Sequence, residues 1–331
     1  MLQGVHGVVA LMLRDASVLV TGGTGFLGSH LTRRLAAAGC RTTLAVRAQS
    51  SIDRIVDVGP APHLVHVDFS AQDSVDACVR AARPDVVFHL AGLTSARRAI
   101  GPGGSTDLGL VRSFEVNLMG ALRLFQAVAS QAPAARVVRT GTVAEYGIGP
   151  APSREEQRGE PASPYGASQL AATELGETLF RQLGLPVTTL RLALTYGPAQ
   201  SETFFIPALI RACLNGQPFE MTQGDQTRDY LFVDDVIDAL VEAAVAPGIA
   251  GLVLNVGSGY EYRIADVAAL IVSLTGGTAE LRMGRLPAGT DPVRLACDPA
   301  RIHRLLGWEA RTPLAAGLEQ TIAWYRDNRP L

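Results

Sequence analysis

Short apolar runs alternate with longer segments of helical period along most of the chain. The runs are rich in β-branched residues, and each has the length of a single strand. They lie at residues 17–20, 42–46, 63–67, 85–91, 136–140, 187–192 and 252–256. Near-continuous apolar strands separated by helices are typical of a parallel sheet that helices cover on both faces. The pattern therefore predicts an α/β fold with one doubly wound, seven-stranded parallel sheet.

The regular alternation weakens after residue 192, where proline, glycine and aromatic residues collect. Three helical segments then follow at 208–216, 264–274 and 313–325. We therefore expect a second, smaller part at the C-terminal end, with the strand at 252–256 returning to the main sheet.

Composition and charge exclude several classes of function. The 331 residues include 29 basic and 31 acidic side chains, a formal net charge of −2, so there is no electrostatic footprint for nucleic acid or an anionic membrane. The apolar N-terminal segment GVVALML is too short to span a bilayer and lacks the basic start and cleavage site of a signal peptide. We expect a soluble, cytoplasmic protein with no nucleic-acid or membrane partner.

The cysteines do not form a recognisable framework. Cys40, Cys78, Cys213 and Cys297 show neither CxxC spacing nor high density. We expect ordinary reduced thiols and no metal site.

A glycine-rich turn follows the first predicted strand and precedes a helix. Gly22, Gly25 and Gly28 have GxxGxxG spacing, in the context that a dinucleotide-binding turn requires. The first glycine permits a sharp turn, the second lets backbone N–H groups approach a pyrophosphate, and the third lets the helix pack closely. Phe26 and Leu27 begin the helix, whose N-terminus attracts phosphate. The alternative is a glycine-rich turn that binds nothing.

The residues at the end of the second predicted strand indicate which dinucleotide, NAD or NADP, the protein prefers. An acidic residue there would bind the adenosine ribose, but the sequence has Arg47, followed by Ser50 and Ser51. A guanidinium and two hydroxyls suit a 2′-phosphate, so we predict a preference for NADP, with NAD also possible. The alternative for the arginine is a solvent-facing strand end. Asp68, after the third strand, is a further candidate for the adenine end or a simple turn former.

Seven motifs occur in an order that one family shares. They are TGGTGFLG, FHLAG, GTVAEYG, YGASQ, LRLALTYGP, RDYLFVDD and NVGSG. Over residues 15–325 the chain resembles the extended short-chain dehydrogenases/reductases of the nucleotide-sugar epimerase, dehydratase and reductase group. The resemblance implies a Rossmann-type cofactor domain at residues 15–192 and a mainly substrate-binding domain at residues 193–331. It also implies cofactor contacts at Phe69, Leu90, Ala91 and Gly92.

The same resemblance implies a catalytic set of a hydroxyl residue, a tyrosine and a lysine. Thr142 matches the hydroxyl that bonds the reacting sugar oxygen, and Tyr165 matches the proton-transfer tyrosine. The lysine position holds Gln169, which shares a helix face with Tyr165 and lies toward the nicotinamide ribose. A glutamine can bond that ribose but brings no positive charge. We therefore expect Tyr165 to keep a pKa near the unperturbed value of about 10 and to be neutral.

A neutral tyrosine favours one direction of reaction. Oxidation of a hydroxyl needs a base, whereas a forming alkoxide is a strong base that a neutral phenol can protonate. Val143 and Ala144 stand where dehydratases of the family carry acidic residues. We therefore predict NADPH-dependent reduction of a keto group on a nucleotide-linked sugar. Two alternatives are open: a 4-epimerase with tightly held NAD, and a non-catalytic dinucleotide-binding regulator.

Candidate substrate contacts follow the fourth strand and lie in the C-terminal part. Thr94 and Ser95 can meet sugar hydroxyls or merely form a turn. Arg228 matches the family's arginine near the nucleotide or diphosphate of the donor; the alternative is a surface arginine paired with Asp229.

Arg285 and Arg294 are further candidates for the same phosphates. Leu194 stands where the family usually has asparagine, so one polar contact to the diphosphate is missing. A smaller ketone without a nucleotide is therefore the alternative substrate.

Two polar residues are predicted to be structural, and two helices are predicted to form an interface. His89 lies inside an apolar strand and is interpreted as a core histidine, and Asn117 is interpreted as a brace between its helix and the sheet. The resemblance implies a homodimer formed by the helices at 112–130 and 165–184.

Overall fold

A seven-stranded sheet forms the centre of the protein in a computed structural model that describes residues 12–94, 107–277, 279–287 and 292–328. Its strands are β1 (Ser17–Thr21), β2 (Arg41–Val46), β3 (His63–His66), β4 (Val86–His89), β5 (Arg136–Thr142), β6 (Val187–Leu192) and β11 (Val253–Val256). The order is β3-β2-β1-β4-β5-β6-β11, and every pairing is parallel. The prediction of one doubly wound Rossmann-type sheet is confirmed, with all seven apolar runs in it.

Ten described helices accompany the strands. They are α1 (Phe26–Ala37), α2 (Gln72–Ala82), α3 (Asp107–Phe114), α4 (Gly120–Gln131), α5 (Pro164–Leu183), α6 (Phe205–Leu214), α7 (Val233–Val245), α8 (Ile264–Thr275), α9 (Ala300–Leu306) and α10 (Leu314–Asp327). A π-helical turn at Glu115–Met119 joins α3 to α4, and a 3₁₀ turn at Val143–Glu145 follows β5. The π-helical turn was not predicted from the periodicity.

The two faces of the sheet pack against separate sets of helices. Along β1, Val18 and Val20 point to the larger core, whereas Leu19 points to the smaller one. The larger core also takes buried residues of α1 and α7, and the smaller core includes Phe125 of α4. Burial on both faces is why these strands read as continuous apolar runs.

The chain beyond β6 adds short strands outside the main sheet. They are β7 (Leu194–Tyr196) with β10 (Tyr230–Phe232), β9 (Thr227–Arg228) with β12 (Tyr262–Arg263) and β14 (Arg294–Leu295), and β8 (Phe219–Glu220) with β13 (Leu281–Arg282). The chain then returns to the main sheet as β11, which pairs with β6.

Among the described residues, no helix is both long and apolar enough to cross a membrane. The same residues contain no cluster of three or more His, Cys, Asp or Glu side chains that could hold a metal ion. All four cysteines are buried, free thiols.

Candidate active site

The glycine turn after β1 is packed too closely for side chains. Gly22 has φ +74°, and a Cβ there would lie 2.7 Å from the backbone nitrogen of Ala91. A Cβ on Gly28 would overlap the carbonyl oxygen of Gly22. Gly25 precedes α1 without a side-chain cap, and the first turn of the helix has no acidic residue. The turn is thus a close-packed cradle at a helix N-terminus, which suits a pyrophosphate.

The loop after β4 lies against this cradle. Leu90 donates its backbone N–H to the Thr21 carbonyl (3.1 Å), and Ala91 donates to the Thr21 hydroxyl (3.3 Å). Gly92 and Thr94 are exposed along the same loop. The predicted residue Ser95 lies outside the described residues.

The Asn117 side chain also binds the loop after β4. Its Oδ1 accepts the Leu93 backbone N–H at 2.7 Å, and its Nδ2 donates to the Ser168 hydroxyl at 2.9 Å. Asn117 therefore braces the loop after β4 and helix α5, and our interpretation that it braces the sheet itself was wrong.

The segment after β2 places the predicted adenosine contacts in an exposed turn. Arg47 is exposed, and its backbone N–H donates to the Ser50 hydroxyl at 3.2 Å. The Ser51 hydroxyl donates to the carboxylate of Asp53 at 2.7 Å. Sequence reasoning missed Asp53, which puts a negative charge beside one of the two predicted serines.

Asp68 closes a turn after β3. Its Oδ1 accepts the backbone N–H of Ser70 at 2.8 Å and the Ser70 hydroxyl at 2.6 Å, and these bonds lower the pKa of the Asp68 carboxyl. The geometry is that of the turn former considered above. Phe69, the next residue, is half-buried, and its carbonyl accepts from Arg123 at 3.3 Å.

Thr142 and Tyr165 are brought together from two elements. Thr142 ends β5, and Tyr165 lies in the first turn of α5, which Ser163 caps by accepting the Gly166 N–H at 3.1 Å. The Thr142 side chain lies close enough to the Tyr165 phenol to affect its pKa. Burial raises the pKa of Tyr165, the Thr142 side chain opposes that rise, and the phenol is neutral near pH 7. We had expected a pKa near 10; desolvation moves it upward instead.

A buried carboxylate fixes Thr142. Glu145 accepts the Thr142 backbone N–H at 2.9 Å through Oε1, and the Thr142 hydroxyl in turn accepts the Ala144 N–H at 3.2 Å. The other oxygen, Oε2, accepts from Arg191 Nε at 2.7 Å and from the Thr173 hydroxyl at 2.9 Å. Glu145 is fully buried, so this network holds the end of β5 rigidly.

Gln169 has a charged neighbour. It is 7% exposed, and the Arg139 guanidinium on β5 donates to both its side-chain Oε1 and its backbone carbonyl. Arg139 is itself 1% exposed. The glutamine itself brings no positive charge, as expected, but a strand residue that sequence reasoning missed places one beside it.

Sequence reasoning missed Arg139, Glu145 and Arg191, of which the two arginines lie inside apolar strands. The detectable signal was a charged residue within strands that a parallel sheet buries on both faces, namely Arg139 in RVVRT and Arg191 in VTTLRL.

His89 is a core residue, as interpreted. Its Nδ1 is hydrogen-bonded to the Thr21 hydroxyl at 2.7 Å. Burial, with the charge of Arg139, lowers the pKa of His89 to about 3. The ring is therefore neutral and does not act as an acid or base near pH 7.

The predicted substrate arginines occupy three different settings. Arg228 is 4% exposed and donates through Nη1 to the carbonyls of Thr227 (2.7 Å) and Pro292 (3.0 Å). The alternative of a surface arginine is therefore wrong. Arg294 pairs with Glu261 at 2.5 Å and is exposed, as is Arg285.

Asp229 anchors the loop that follows β11. Its carboxylate accepts the Ser258 hydroxyl at 2.6 Å and the Gly259 N–H at 3.2 Å, and burial raises its pKa to about 6. Leu194, on β7, donates its backbone N–H to the Asp229 carbonyl at 3.0 Å. The motifs RDYLFVDD and NVGSG are thus joined in space.

Comparisons with known proteins agree with this geometry. The chain is 33% identical over 323 residues to a UDP-glucose 4-epimerase from Mycolicibacterium smegmatis, covering 94% of this chain and 98% of the relative. It is 31% identical over 341 residues to a dTDP-glucose 4,6-dehydratase from Neisseria meningitidis, with 94% of each covered.

Solved structures share the fold over nearly the whole length. An epimerase from Methanothermobacter thermautotrophicus has a TM-score of 0.89 at 25% identity, covering 98% of this chain and 96% of that one. A dTDP-glucose 4,6-dehydratase from Streptomyces venezuelae, solved with NAD bound, has a TM-score of 0.82 at 26% identity, covering 94% and 97%. The profile of the NAD dependent epimerase/dehydratase family matches residues 18–257, and the chain belongs to that family of enzymes.

Proposed function

We propose that the protein reduces a keto group on a nucleotide-linked sugar, with NADPH as the reductant. The observation that carries the proposal is the neutral, half-buried phenol of Tyr165, which interacts with Thr142 and has no lysine beside it. A neutral phenol is a proton donor, and ketone reduction needs a donor at the new oxygen. Val143, buried in the larger core, and Ala144 provide no acid or base for a dehydratase reaction.

The cofactor cradle supports binding of a dinucleotide. Side chains at Gly22 and Gly28 would collide with backbone atoms, so only glycine allows the turn to pack this closely. The N-terminus of α1 offers uncapped N–H groups from Phe26, Leu27 and Gly28. The relative from Streptomyces venezuelae holds NAD. Exposed Arg47 beside Ser50 supports the 2′-phosphate of NADP.

In the proposed reaction, Thr142, Tyr165 and Gln169 each have one role. When bound, the reduced nicotinamide supplies a hydride to the carbonyl carbon. Thr142 holds the carbonyl oxygen of the substrate by a hydrogen bond, and Tyr165 gives its phenolic proton to that oxygen as negative charge develops. Gln169 orients the cofactor ribose through its side-chain amide.

The substrate is held by the C-terminal part, residues 193–331, in this proposal. Arg228, Arg285 and Arg294 carry the positive charge suited to a nucleotide diphosphate, and Thr94 lies in the loop beside the reaction centre. Ser95, the next residue in the sequence, is a further candidate for the sugar hydroxyls. A cytoplasmic location, where nucleotide sugars and NADPH are available, fits this activity.

A homodimer is part of the proposal. The helix at 165–184, one of the two that the resemblance assigns to the interface, exposes Leu183, and Leu110 and Val111, which directly precede the helix at 112–130, are exposed as well. Covering these side chains with a second copy would remove apolar surface from water.

A 4-epimerase using NAD is the second candidate function. It is favoured by the 33% identity to a UDP-glucose 4-epimerase and by the Asp53 carboxylate, which lies beside Ser51 where a 2′-phosphate would be repelled. An epimerase returns its hydride to the sugar, so it consumes no cofactor over a full turnover.

The deciding experiment measures cofactor and sugar together. Purified protein is incubated with NADPH or NADH and a panel of 4-keto nucleotide sugars, and mass spectrometry follows the sugar while absorbance follows the reduced cofactor. We expect one mole of NADPH oxidised per mole of ketone reduced. Conversion of a UDP-sugar to its epimer without net cofactor oxidation would replace the reductase with the epimerase. Tight NADPH binding without any turnover would favour the non-catalytic regulator.

Tyr165→Phe is the control in the same assay. It removes the proton donor while leaving the ring, so we expect loss of turnover by about 10²-fold or more with cofactor affinity retained. Full ketone reduction by this variant would overturn the role given to Tyr165.

A further inference from the structure

A buried arginine that the proposed mechanism does not use contacts Gln169, one helical turn after Tyr165. The guanidinium of Arg139 donates to the Thr173 hydroxyl at 2.9 Å, to the Gln169 carbonyl at 3.2 Å and to the Gln169 side-chain oxygen. Strand β5 therefore contacts the face of α5 that carries the catalytic tyrosine, through one charged side chain that is 1% exposed.

Arg139 fixes the orientation of the Gln169 amide. A guanidinium has only donors, so the oxygen of the amide must face it and the Nε2 hydrogens must point elsewhere. A Cβ built on Gly92 would lie 3.4 Å from Gln169 Nε2, which places those hydrogens on the side of the loop after β4. That loop is the one packed against the glycine cradle, as described above.

Buried charges of both signs act on Tyr165: the Glu145 carboxylate raises the pKa of the phenol, and the Arg139 guanidinium lowers it by a smaller amount. Arg139 and Arg191 contribute two buried guanidinium groups, and Glu145 contributes one carboxylate, which accepts from Arg191 at 2.7 Å. His89 is neutral, because its pKa is about 3. The Arg139 guanidinium therefore opposes the effect of Glu145 on the phenol, because a buried positive charge stabilises negative charge that forms near it.

We propose that Arg139 and Gln169 divide between them the two roles of the missing lysine. Gln169 donates a hydrogen bond toward the cofactor, and Arg139 provides the positive charge that stabilises the Tyr165 tyrosinate. In the reaction, the O–H bond of Tyr165 breaks, its proton goes to the alkoxide oxygen, and the phenolic oxygen stays negative until solvent returns a proton. Arg139 touches neither substrate nor cofactor and is a positioning residue. The inference rests on the proposed role of Tyr165.

The test measures the charge effect without requiring turnover. A fluorinated tyrosine incorporated at position 165 ionises at lower pH than tyrosine, and its ¹⁹F resonance reports the titration in the folded protein. We expect Arg139→Met to raise the pKa of this phenol by about one unit or more, which is about a tenfold change in proton affinity. Arg139→Lys should restore most of the effect.

Arg136→Met is the matched control. Arg136 lies on the same strand, is exposed, and donates to the Ala244 and Ala246 carbonyls far from the site. This variant should leave the resonance titration unchanged. An unchanged titration in folded Arg139→Met would overturn the inference, whatever the activity assay shows. A shifted titration in a protein that reduces no ketone would instead reject the proposed function alone.

A double variant tests directly whether one lysine at position 169 can replace both Arg139 and Gln169. Gln169→Lys alone places an ammonium beside the Arg139 guanidinium, so we expect it to lower the thermal midpoint and the amount of folded protein. The double variant with Arg139→Met and Gln169→Lys should fold normally. Its fluorinated phenol should have a pKa at or below that of the same phenol in the otherwise unmutated protein. Independent, additive effects of the two substitutions on the titration would contradict a shared role.

Discussion

The Cα of Gly141 lies directly beneath the Glu145 carboxylate, so a Cβ at position 141 would overlap Glu145 Oε1. Gly141 also pairs with Arg191 across β5 and β6. The glycine is therefore what allows the Glu145 side chain to fold back beneath Thr142, the threonine of the proposed mechanism.

Gly141→Ala should displace Glu145 and loosen the end of β5. We expect a loss of unfolding free energy of about 1–3 kcal/mol, together with lower turnover, because the new methyl overpacks a buried site. Denaturant unfolding measures the loss. Gly149→Ala is the control, since nothing lies within 4 Å of its would-be Cβ; equal stability of the two variants would contradict the account of Gly141.

Arg47→Asp should change cofactor preference. Loss of a charge-assisted contact to a 2′-phosphate costs about 1.5–3 kcal/mol, or tenfold to a hundredfold in NADPH affinity, while NADH binding should be little affected. Fluorescence titration with both cofactors measures this. Arg326→Asp makes the same charge change at an exposed site in the last turn of α10 and should alter neither affinity. Equal affinity of the unmutated protein for both cofactors would reject the NADP preference.

Thr142→Val should lower the turnover number by about tenfold to a hundredfold, because the substrate oxygen loses its hydrogen-bond donor and Tyr165 loses a polar neighbour. It also removes the cap of the 3₁₀ turn, so stability should fall by about 1 kcal/mol. Thr142→Ser keeps the hydroxyl and should retain most of both properties. Assays well below the unfolding temperature separate the two effects, and a Thr142→Val enzyme with unchanged turnover would remove Thr142 from the mechanism.

Glu242 on α7 should make stability depend on pH. Burial raises its pKa from the ordinary 4.5 to about 7, so the folded protein binds this proton more tightly than the unfolded chain does. Its favourable contribution is therefore complete below about pH 4.5 and is lost as the pH rises through about 7.

Glu242→Gln should flatten that dependence and stabilise the protein above neutrality, by about 1–3 kcal/mol near pH 8. Denaturant unfolding at several pH values measures it. Glu309→Gln, at an exposed position, provides the comparison. A Glu242→Gln variant with the same slope between pH 5 and pH 8 as the unmutated protein would be inconsistent with this account.

The main sheet could be predicted because its strands are buried on both faces, so that segments such as β1 and β4 read as unbroken apolar runs between helices. The glycine turn was equally accessible, since only glycine fits at Gly22 and Gly28. The local sequence pattern was sufficient to predict features that depend on a single strand or turn.

The buried charges could not be predicted in the same way. Arg139 and Gln169 are 30 residues apart, and only the packing of β5 on α5 brings the guanidinium to the amide. Likewise Glu145 meets Arg191 from 46 residues away. A sequence shows that a charge interrupts an apolar strand, but the partner depends on the three-dimensional arrangement of the sheet.

The π-helical turn at Glu115–Met119 determines the direction in which the Asn117 side chain points. A wide turn carries one residue more than an α-helical turn, so α4 continues rotated by about 100° relative to an uninterrupted helix. The side chain that reaches Leu93 and Ser168 is thus selected by the number of residues in the turn. Deleting a single residue there would leave every side chain of the site intact and still detach the loop after β4 from α5, so helix length is itself part of the active-site architecture.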